Sequence, residues 1–471
     1  MTLRSMPLRS MTLRSMTLRQ PFRWGALILA PILALAGCGD GGSRTLTALP
    51  GDLQRFAATP KPVGVARSNL DIADDFLDLV FRLEGGETVP ALLKYDGPIR
   101  VALRSPGLAT YKPEIDALLG RLRKEAGIDI RQVPSNAPAE ILVHAVSRQN
   151  IQRAVPGAAC FIEPGVTTWQ EFRNPLLANR RVGWNKQTRL GQTSIFIPAD
   201  STPQDTRDCL HEEIAQALGP VNDLFRIPDT VFNDDNFHSV LTPFDMVILR
   251  ALYAPELKPG MTRGEVSTRL VSILNRTNPR GRGQPRRARA PETRAWKAAI
   301  TRALGRNVNR AQRRSAAERA LSLAGAMRPQ DHRLGFALLT LGRIEARDNP
   351  ARARDLLTAA FRQFRTQFGT NDIHTARAAL HLGLLSLEQG AFEIAAELAT
   401  GHLSAARSAE NAVVLSGLYA VAAEAFKEMG RPAEARDAQL EFLKWARYAF
   451  GDRDGNIAKA RAQVASFNSK S

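Results

Sequence analysis

The chain has 471 residues, of which 44% are hydrophobic and 23% charged, and its formal net charge is +18. This length accommodates two or three domains, and the composition is ordinary for a soluble globular protein. The basic excess suggests an anionic neighbour such as lipid head groups, cell-wall polymer or nucleic acid, or only an Arg-rich composition. Five Trp and five Tyr are too few for an evident nucleic-acid stacking surface, so no nucleic-acid partner is expected.

Residues 1–37 have the order of a secretory signal. A repeated Arg-containing segment precedes the apolar run GALILAPILALAG, which is too short to span a bilayer comfortably. The next residue, Cys38, follows Leu-Ala-Gly, and this resembles the lipobox of bacterial lipoproteins. The resemblance implies lipidation of Cys38, a membrane anchor, and a position in the cell envelope facing the periplasm. The alternative is a simple secretory signal with an incidental cysteine. Residues 38–60, rich in Gly, Ser, Thr and Pro, are predicted to be a tether.

Two further cysteines, Cys160 and Cys209, remain in the exported part of the chain. An even pair in an oxidising compartment predicts a disulfide bond. Such a bond would close a loop of roughly 50 residues, which corresponds to about 4 kcal/mol in the chain-entropy description. Two buried free thiols are the alternative.

Residues 61–265 alternate between strand and helix patterns, which predicts a mixed α/β domain. Its strands are predicted at 99–105, 128–133, 140–146 and 193–200. Its helices are predicted at 111–127, at 201–219 with Ser201 or Thr202 as N-cap, and at 241–253 with Thr242-Pro243 at the start. The apolar stretch at 70–86 shows no clean period.

Residues 266–293 are predicted to be a basic linker, either a solvated tether or a contact for anionic lipid or polymer. From residue 294 to 465 the sequence is Ala- and Leu-rich, with helix pairs separated by turns at Asn349-Pro350, Gly390-Ala391 and Gly430-Arg431-Pro432. These pairs resemble tetratricopeptide repeats. The resemblance implies an α-solenoid whose concave face binds a protein or peptide partner. A generic helical bundle packed on the α/β domain is the alternative.

The helix predicted at 201–219 carries the candidate site. Glu212, Glu213, Gln216, Gly219 and Asn222 follow the spacing of H-E-x-x-H-x-x-G-x-x-H/D, the long zinc motif of metzincin-type proteases. Positions four apart share a helix face, so the metal ligands would be Glu212 and Gln216 with Asn222 or Asp223. Glu213 would be the general base. The segment at 193–200 would be the edge strand that precedes the helix in these proteases.

The ligand positions depart from the zinc motif. Catalytic zinc sites use histidine for at least two ligands, whereas these positions carry only oxygen donors, which suit a hard divalent cation better. His211 lies about 100° around the helix from Glu212 and cannot replace a missing histidine. His238 could reach in from the following loop, but the spacing does not require it. The acidic loop with Asp229, Asp234 and Asp235 lacks the spacing of an EF-hand.

The whole segment resembles a family of uncharacterised bacterial envelope proteins that share the stretch E-E-x-x-Q-x-L-G-x-x-N-D, with no assigned activity. The resemblance predicts a zincin-like α/β domain followed by an all-α tetratricopeptide-like solenoid. The expected function is a binding or assembly factor with a catalytically degenerate domain. A metal-dependent peptidase or hydrolase acting on protein or cell-wall peptide is the alternative. A third interpretation has no relation to zincins and places Glu212 and Gln216 on a solvated helix face.

Overall fold

The computed structural model describes residues 53, 55, 56, 64–178, 182–233, 235–291, 293–305 and 308–451. The predicted signal segment, Cys38 and most of the predicted tether lie outside these residues, as does Asp234 of the acidic loop. The predicted repeat region is described up to residue 451. None of the described helices combines the length and the apolar character needed to cross a bilayer.

The first half of the described chain is a mixed α/β domain built on one five-stranded sheet. The sheet order is β2-β1-β3-β5-β4. The first four strands in this order run parallel, and β4 pairs antiparallel with β5. The strands are β1 (Ile99–Leu103), β2 (Ile130–Val133), β3 (Ile141–Val146), β4 (Phe161–Pro164) and β5 (Thr193–Pro198).

The prediction that residues 193–200 form an edge strand was wrong. β5 lies between β3 and β4, and all six of its residues are buried. Its continuous apolar run is typical of a strand covered on both faces. The edge next to β5 is β4, which the sequence analysis did not predict.

Eight helices accompany the sheet in the described part of this domain. They are α1 (Asn69–Phe81), α2 (Lys112–Ala126), α3 (Arg148–Ala154), α4 (Trp169–Arg173), α5 (Pro175–Ala178), α6 (Pro203–Ala217), α7 (Pro243–Leu252) and α8 (Arg263–Thr277). Ten of the thirteen residues of α1 are buried. Its buried positions include Asp71 and Asp75 as well as apolar residues, so burial does not follow a single apolar stripe and the sequence shows no clean period.

The predicted linker is more ordered than a solvated tether. Its first part belongs to α8, whose Val266, Leu270, Ile273 and Leu274 are buried in the α/β core. Two of its arginines then bind the acidic face of α1. Arg286 pairs with Asp71 and Asp74, and Arg289 pairs with Asp74 and Asp75. These arginines are therefore already neutralised within the chain.

The second half of the described chain is entirely helical. Its helices are α9 (Arg294–Leu304), α10 (Arg310–Ala326), α11 (His332–Glu345), α12 (Pro350–Phe368), α13 (Ile373–Glu388), α14 (Phe392–Thr400), α15 (Leu403–Ser408), α16 (Ala412–Glu428) and α17 (Pro432–Phe450). The three predicted turns all fall between helices, and Asn349 caps α12. The second helix of the middle pair differs from the other pairs because it is divided into α14 and α15.

The α/β domain and the helical region share an apolar junction. Phe225 packs edge-on against Trp296 with ring centroids 5.3 Å apart, and Phe237 stacks on His374 at 4.1 Å. His332 donates from Nε2 to the carbonyl oxygen of Phe225 over 2.6 Å. These side chains are buried, so the two halves form one continuous packed unit.

Polar contacts extend the junction to the last helices. The amide of Ala412, at the start of α16, donates to Gln204 Oε1 over 2.9 Å. Arg207 of α6 pairs with Glu410. Part of the predicted tether joins this surface, because Phe56 packs on Trp445 of α17 with ring centroids 4.4 Å apart.

Candidate functional site

The candidate site is built on α6. Thr202 caps the helix by accepting from the amide of Asp205, and Pro203 occupies the first turn, as the sequence predicts. The helix follows β5 directly and packs against β5 and β4. Its apolar side chains Leu210, Ile214 and Ala217 are buried in the core. A strand therefore leads into the helix and a second strand lies alongside it.

The predicted disulfide is confirmed and lies beside the candidate site. Cys160, just before β4, is bonded to Cys209 in α6. The bond fixes the antiparallel edge strand to the helix that carries the candidate residues. It spans 49 positions of sequence, so it also removes substantial freedom from the unfolded chain.

The chain turns sharply at Gly219, immediately after α6. Gly219 has φ +137°, and a Cβ atom at this position would lie 2.3 Å from the carbonyl oxygen of Leu93. Only glycine fits both this backbone conformation and this close approach. Tyr253 closes the turn by donating from its hydroxyl to the carbonyl oxygen of Leu218 over 3.0 Å. The turn sends residues 220–229 back beside α1.

Three of the predicted residues meet at this turn. Gln216 donates from Nε2 to both carboxylate oxygens of Asp223, over 3.3 and 3.1 Å. Glu213 is buried with 4% of its surface exposed, and the charge of Asp223 acts on its carboxyl group. Of the predicted ligands Glu212, Gln216 and Asn222 or Asp223, the structure joins Gln216 to Asp223 by a hydrogen bond. Glu213, the predicted general base, is close enough to Asp223 for its charge to act on it.

The environment of Glu213 disfavours the ionised form of its carboxyl group. Burial, and then the negative charge of Asp223, raise the pKa of Glu213 well above its ordinary value. Its Oε2 atom is buried and has no hydrogen-bond partner in the described part of the chain. A general base must be ionised at the working pH, so this environment disfavours the role that the motif assigns to Glu213.

The third ligand position is used for packing. Asn222 is 3% exposed and donates from Nδ2 to the carbonyl oxygen of Asp78 in α1 over 2.9 Å. Its Oδ1 atom is buried without a hydrogen-bond partner among the described residues. Glu212 lies half-buried one turn before Gln216 and takes part in an interaction of its own. The amides of Gln216 and Asn222 thus direct their N–H groups at oxygen atoms of the protein.

The two histidines near the site have other surroundings. His211 is buried and accepts at Nδ1 from the amide of Leu241 over 3.2 Å, so it fixes the start of the segment that leads into α7. His238 lies at the junction, where its ring meets that of His374 edge-on with centroids 5.6 Å apart. Neither contact directs a histidine toward Gln216 and Asp223.

The donor set does not fit a zinc ion. Its members are carboxylates and neutral amides, whereas catalytic zinc takes imidazole nitrogen for most of its protein ligands. Throughout the described ranges, no group of three or more His, Cys, Asp and Glu side chains is arranged to hold a metal ion. A hard divalent cation bound by Glu212, Gln216, Asn222 and Asp223 stays a prediction.

The segment downstream of the site is a structural support. Asp245 forms a capping box with Thr242 at the start of α7 and accepts from Thr230 Oγ1 over 2.5 Å. Burial raises the pKa of Asp245 to about 7. These contacts fix Thr230 to the start of α7, and Tyr253 at the other end of α7 fixes Leu218 at the end of α6.

Sequence reasoning missed the part that α1 plays in the site. Asp75 of α1 pairs with Arg226, and Asp78 of the same helix pairs with Arg226 over 2.9 Å while its backbone holds Asn222. The signal was present in the spacing of Asp71, Asp74, Asp75 and Asp78, which places four carboxylates on neighbouring turns of one helix. The loop that carries Asp223 is therefore fixed from two sides.

Comparison with known proteins agrees with the bounds of this domain. Residues 69–272, from the start of α1 into α8, match the family described as "Protein of unknown function (DUF2927)". A DUF2927 domain therefore covers the α/β half of the chain. No curated protein matches the chain.

Proposed function

We propose that the protein is a binding or assembly factor of the cell envelope whose α/β domain is a catalytically degenerate, zincin-like domain. The observation that carries the proposal is the hydrogen bond from Gln216 to Asp223, at positions where a zinc protease would present metal ligands. Gln216 and Asp223 are hydrogen-bonded to each other, and the raised pKa of the neighbouring Glu213 disfavours a role as general base. The kinship with zincins is supported by a strand that leads into α6 and an edge strand fixed alongside it.

The proposed location is the periplasmic face of a membrane, with Cys38 as the lipid anchor. The disulfide between Cys160 and Cys209 supports an oxidising compartment, since such bonds are rare in reducing ones. In this proposal the α/β domain serves as the rigid base on which the helical region is mounted.

The helical region is the proposed partner-binding part, with tetratricopeptide-like pairs. Support comes from the close approach of paired helices at small residues. A Cβ atom on Gly342 in α11 would lie 2.8 Å from Leu357 of α12, so this pair packs tightly only because position 342 is glycine. Ala353 and Ala395, which open the second helices, are fully buried. Such packing is typical of stacked helical hairpins that present a surface to a partner.

Photo-crosslinking in the living cell tests the binding role. A photoreactive amino acid at Ile394 or Leu440, which are 54% and 51% exposed on α14 and α17, is expected to give a discrete crosslinked product. The matched control is Leu176 of the α/β domain, which is 81% exposed. Products from Leu176 alone, or from none of these positions, would contradict a partner at the helical region.

One observation favours the alternative of a metal-dependent hydrolase. Glu213 Oε2 and Asn222 Oδ1 are both buried acceptors without a hydrogen-bond partner in the described residues, and a hard cation is one species that would satisfy them. The test is metal analysis of the purified protein together with cleavage of denatured casein and cell-wall stem peptides. We expect the purified protein to contain no stoichiometric metal. We also expect no cleavage activity that disappears in the Glu213→Gln variant. Metal lost in Glu212→Ala, with cleavage lost in Glu213→Gln, would establish the hydrolase.

A further inference from the structure

The connection between β4 and β5 is far longer than the pairing of these strands requires. The two strands are antiparallel neighbours, with Pro164 opposite Thr193, so a short hairpin turn could join them. Residues 165–192, here called the β4–β5 loop, form the connection instead. The amide of Gly165 donates to the carbonyl oxygen of Gln192 over 2.7 Å, so both ends of the loop leave the sheet at one corner. Loops of this length in compact domains usually carry a function.

Aromatic side chains hold both limbs of the β4–β5 loop. In the outgoing limb, Trp169 and Phe172 of α4 pack on Phe196 of β5, with their ring centroids 5.3 and 5.6 Å from that of Phe196. In the return limb, Trp184 is half-buried against the main core of the α/β domain, and Leu190 is buried within it. The middle of the loop is therefore presented to its surroundings from a fixed base.

The middle of the loop exposes apolar side chains. Leu176 of α5 is 81% exposed, and Val182 is 48% exposed. In the described part of the chain, the other exposed large hydrophobic side chains are Leu70, Ile394 and Leu440, which lie singly on three separate helices. Single exposed apolar residues are normal, whereas neighbouring ones often mark a surface that contacts another body. Leu176 and Val182 therefore indicate a contact made outside the chain.

Three cations of the same loop have no partner within the chain. Arg173 at the end of α4, Lys186 and Arg189 are exposed, and the side chain of none of them pairs with a described residue. The carboxylate of Glu171 accepts from the amide and the hydroxyl of Thr167 at the base of the loop. By contrast, the arginines that follow α8 meet the carboxylates of α1 directly. The loop thus carries positive charge, close in sequence to its exposed apolar residues, that the fold itself does not use.

We propose that the β4–β5 loop is a membrane contact, in which Leu176 and Val182 enter the interface of an anionic phospholipid bilayer. The cations of the loop lie at the lipid phosphate groups in this arrangement, because basic side chains near an anionic leaflet are attracted to it. A soft bilayer accepts side chains that stand out from a protein, whereas a protein partner has to offer a cavity that matches each of them. The inference rests on the proposed location, since a lipid anchor at Cys38 keeps the loop close to a bilayer.

Sedimentation with lipid vesicles tests the contact in the absence of the lipid anchor. The protein is the whole mature chain with Cys38→Ser, which carries no acyl group. We expect it to bind vesicles of equal parts phosphatidylglycerol and phosphatidylcholine, and to bind vesicles of phosphatidylcholine alone much more weakly. Leu176→Ser is expected to bind the anionic vesicles about tenfold more weakly. The matched control is Leu440→Ser, at a leucine of α17 that is 51% exposed, and it is expected to change binding by less than about twofold.

The charge of the loop is tested in the same assay. Arg173→Gln is expected to weaken binding to the anionic vesicles about fivefold, because one basic side chain leaves the membrane surface. Its matched control is Arg362→Gln, which removes the same charge from an exposed position of α12 and is expected to change binding by less than about twofold. All four variants are expected to keep the melting temperature of the parent protein, since each of the replaced side chains is exposed.

Three results would overturn the membrane contact. These are full vesicle binding by Leu176→Ser, equal losses in Leu176→Ser and Leu440→Ser, and a discrete protein product from a photoreactive residue at position 176 in the living cell. The last result would assign the loop to a protein partner. Failure of the contact is distinct from failure of the proposed location, because the mass of the natively produced protein reports acylation of Cys38. Acylated protein whose Cys38→Ser form does not bind anionic vesicles would have the anchor without the loop contact, and vesicle binding without acylation would leave the loop contact alone.

Discussion

At the scale of single residues, the candidate site depends on positions that accept only one residue type. Gly219 is the clearest case, because its backbone conformation and its contact with Leu93 exclude a side chain. The polar residues around it are fixed by hydrogen bonds within the protein rather than left open for chemistry. Position 219 therefore determines whether Asp223 reaches Gln216 at all.

Replacement of Gly219 by alanine is expected to lower the free energy of unfolding by about 3 kcal/mol or more, because overlap with the Leu93 carbonyl adds to the cost of the positive φ. Urea denaturation followed by circular dichroism measures this loss. Gly127 is the matched control, since it has φ +71° at the end of α2 but no atom within 4 Å of an added Cβ. Gly127→Ala is expected to cost only about 1 kcal/mol. Equal losses in the two variants would contradict the steric argument.

The residue pattern predicted the local structure around the candidate site. It did not predict the contacts or the ionisation of its side chains. The spacing from Glu212 to Asn222 correctly placed a helix, a glycine turn and a returning loop, because capping residues and glycine act locally. It did not predict that Asn222 binds the backbone of α1 or that the pKa of Glu213 is raised. Both properties depend on burial by α1 and α7, which are distant in sequence.

At the scale of secondary structure elements, α1 and the segment after α8 act together. Asp75 is nearly inaccessible, and Arg226, Arg289 and Arg67 all contact it. Asp74, one residue earlier, pairs with Arg286 and Arg289 at the surface. The helix α1 thus carries one buried and one exposed aspartate that each form ion pairs with arginines.

The variant Asp75→Asn is expected to destabilise the protein by about 3 kcal/mol or more, because the buried Arg226 would lose its buried carboxylate and keep only the partly exposed Asp78. Asp74→Asn makes the same chemical change at a half-exposed side chain and is expected to cost less than about 1 kcal/mol. Guanidinium is unsuitable as denaturant here because its salt screens ion pairs, so urea titration with the disulfide intact is the measurement. The argument fails if the surface variant is as destabilised as the buried one.

Elements were predicted best where the chain marks their ends. α6 and α7 begin at Thr-Pro pairs, and the repeat turns contain Gly, Pro or Asn, so their positions follow from local chemistry. β4 was missed because its four residues are too short for a periodic signal. α8 was assigned to the linker because the run of prolines, glycines and arginines after it dominated the composition of the whole segment.

At the scale of the whole molecule, the junction joins the two halves into one packed unit. His332 is central to it, since it is fully enclosed and donates to Phe225. Burial, followed by the charges of His374 and Arg333, lowers the pKa of His332 to about 3, although Asp331 opposes this shift. The imidazole is therefore neutral in the folded protein at all moderately acidic pH values.

Acid is expected to weaken the protein through His332. In the unfolded chain this histidine takes up a proton below its ordinary pKa of about 6.5, whereas the folded protein excludes the proton until about pH 3. The stabilisation is thus complete above pH 6.5 and decreases as the pH falls toward 3. Between pH 7 and pH 5 the wild type should lose about 2 kcal/mol more than His332→Gln, measured by urea denaturation at each pH.

The wild type and the His332→Gln variant share all other histidines, so the titration of those histidines cancels when the two are compared. The glutamine amide can still donate to the Phe225 carbonyl, which keeps the contact while removing the titration. Parallel dependence of the two proteins on pH would show that His332 is not the enclosed neutral group described here.

The junction also limits how the protein can be divided in the laboratory. A fragment that ends at residue 272, where the family match ends, would leave Phe225 and Phe237 without the aromatic rings that cover them. It would also separate Asp71 and Asp75 from the arginines that follow α8. Aggregation or poor solubility of such a fragment would therefore result from the truncation. It would say nothing about what the intact protein does.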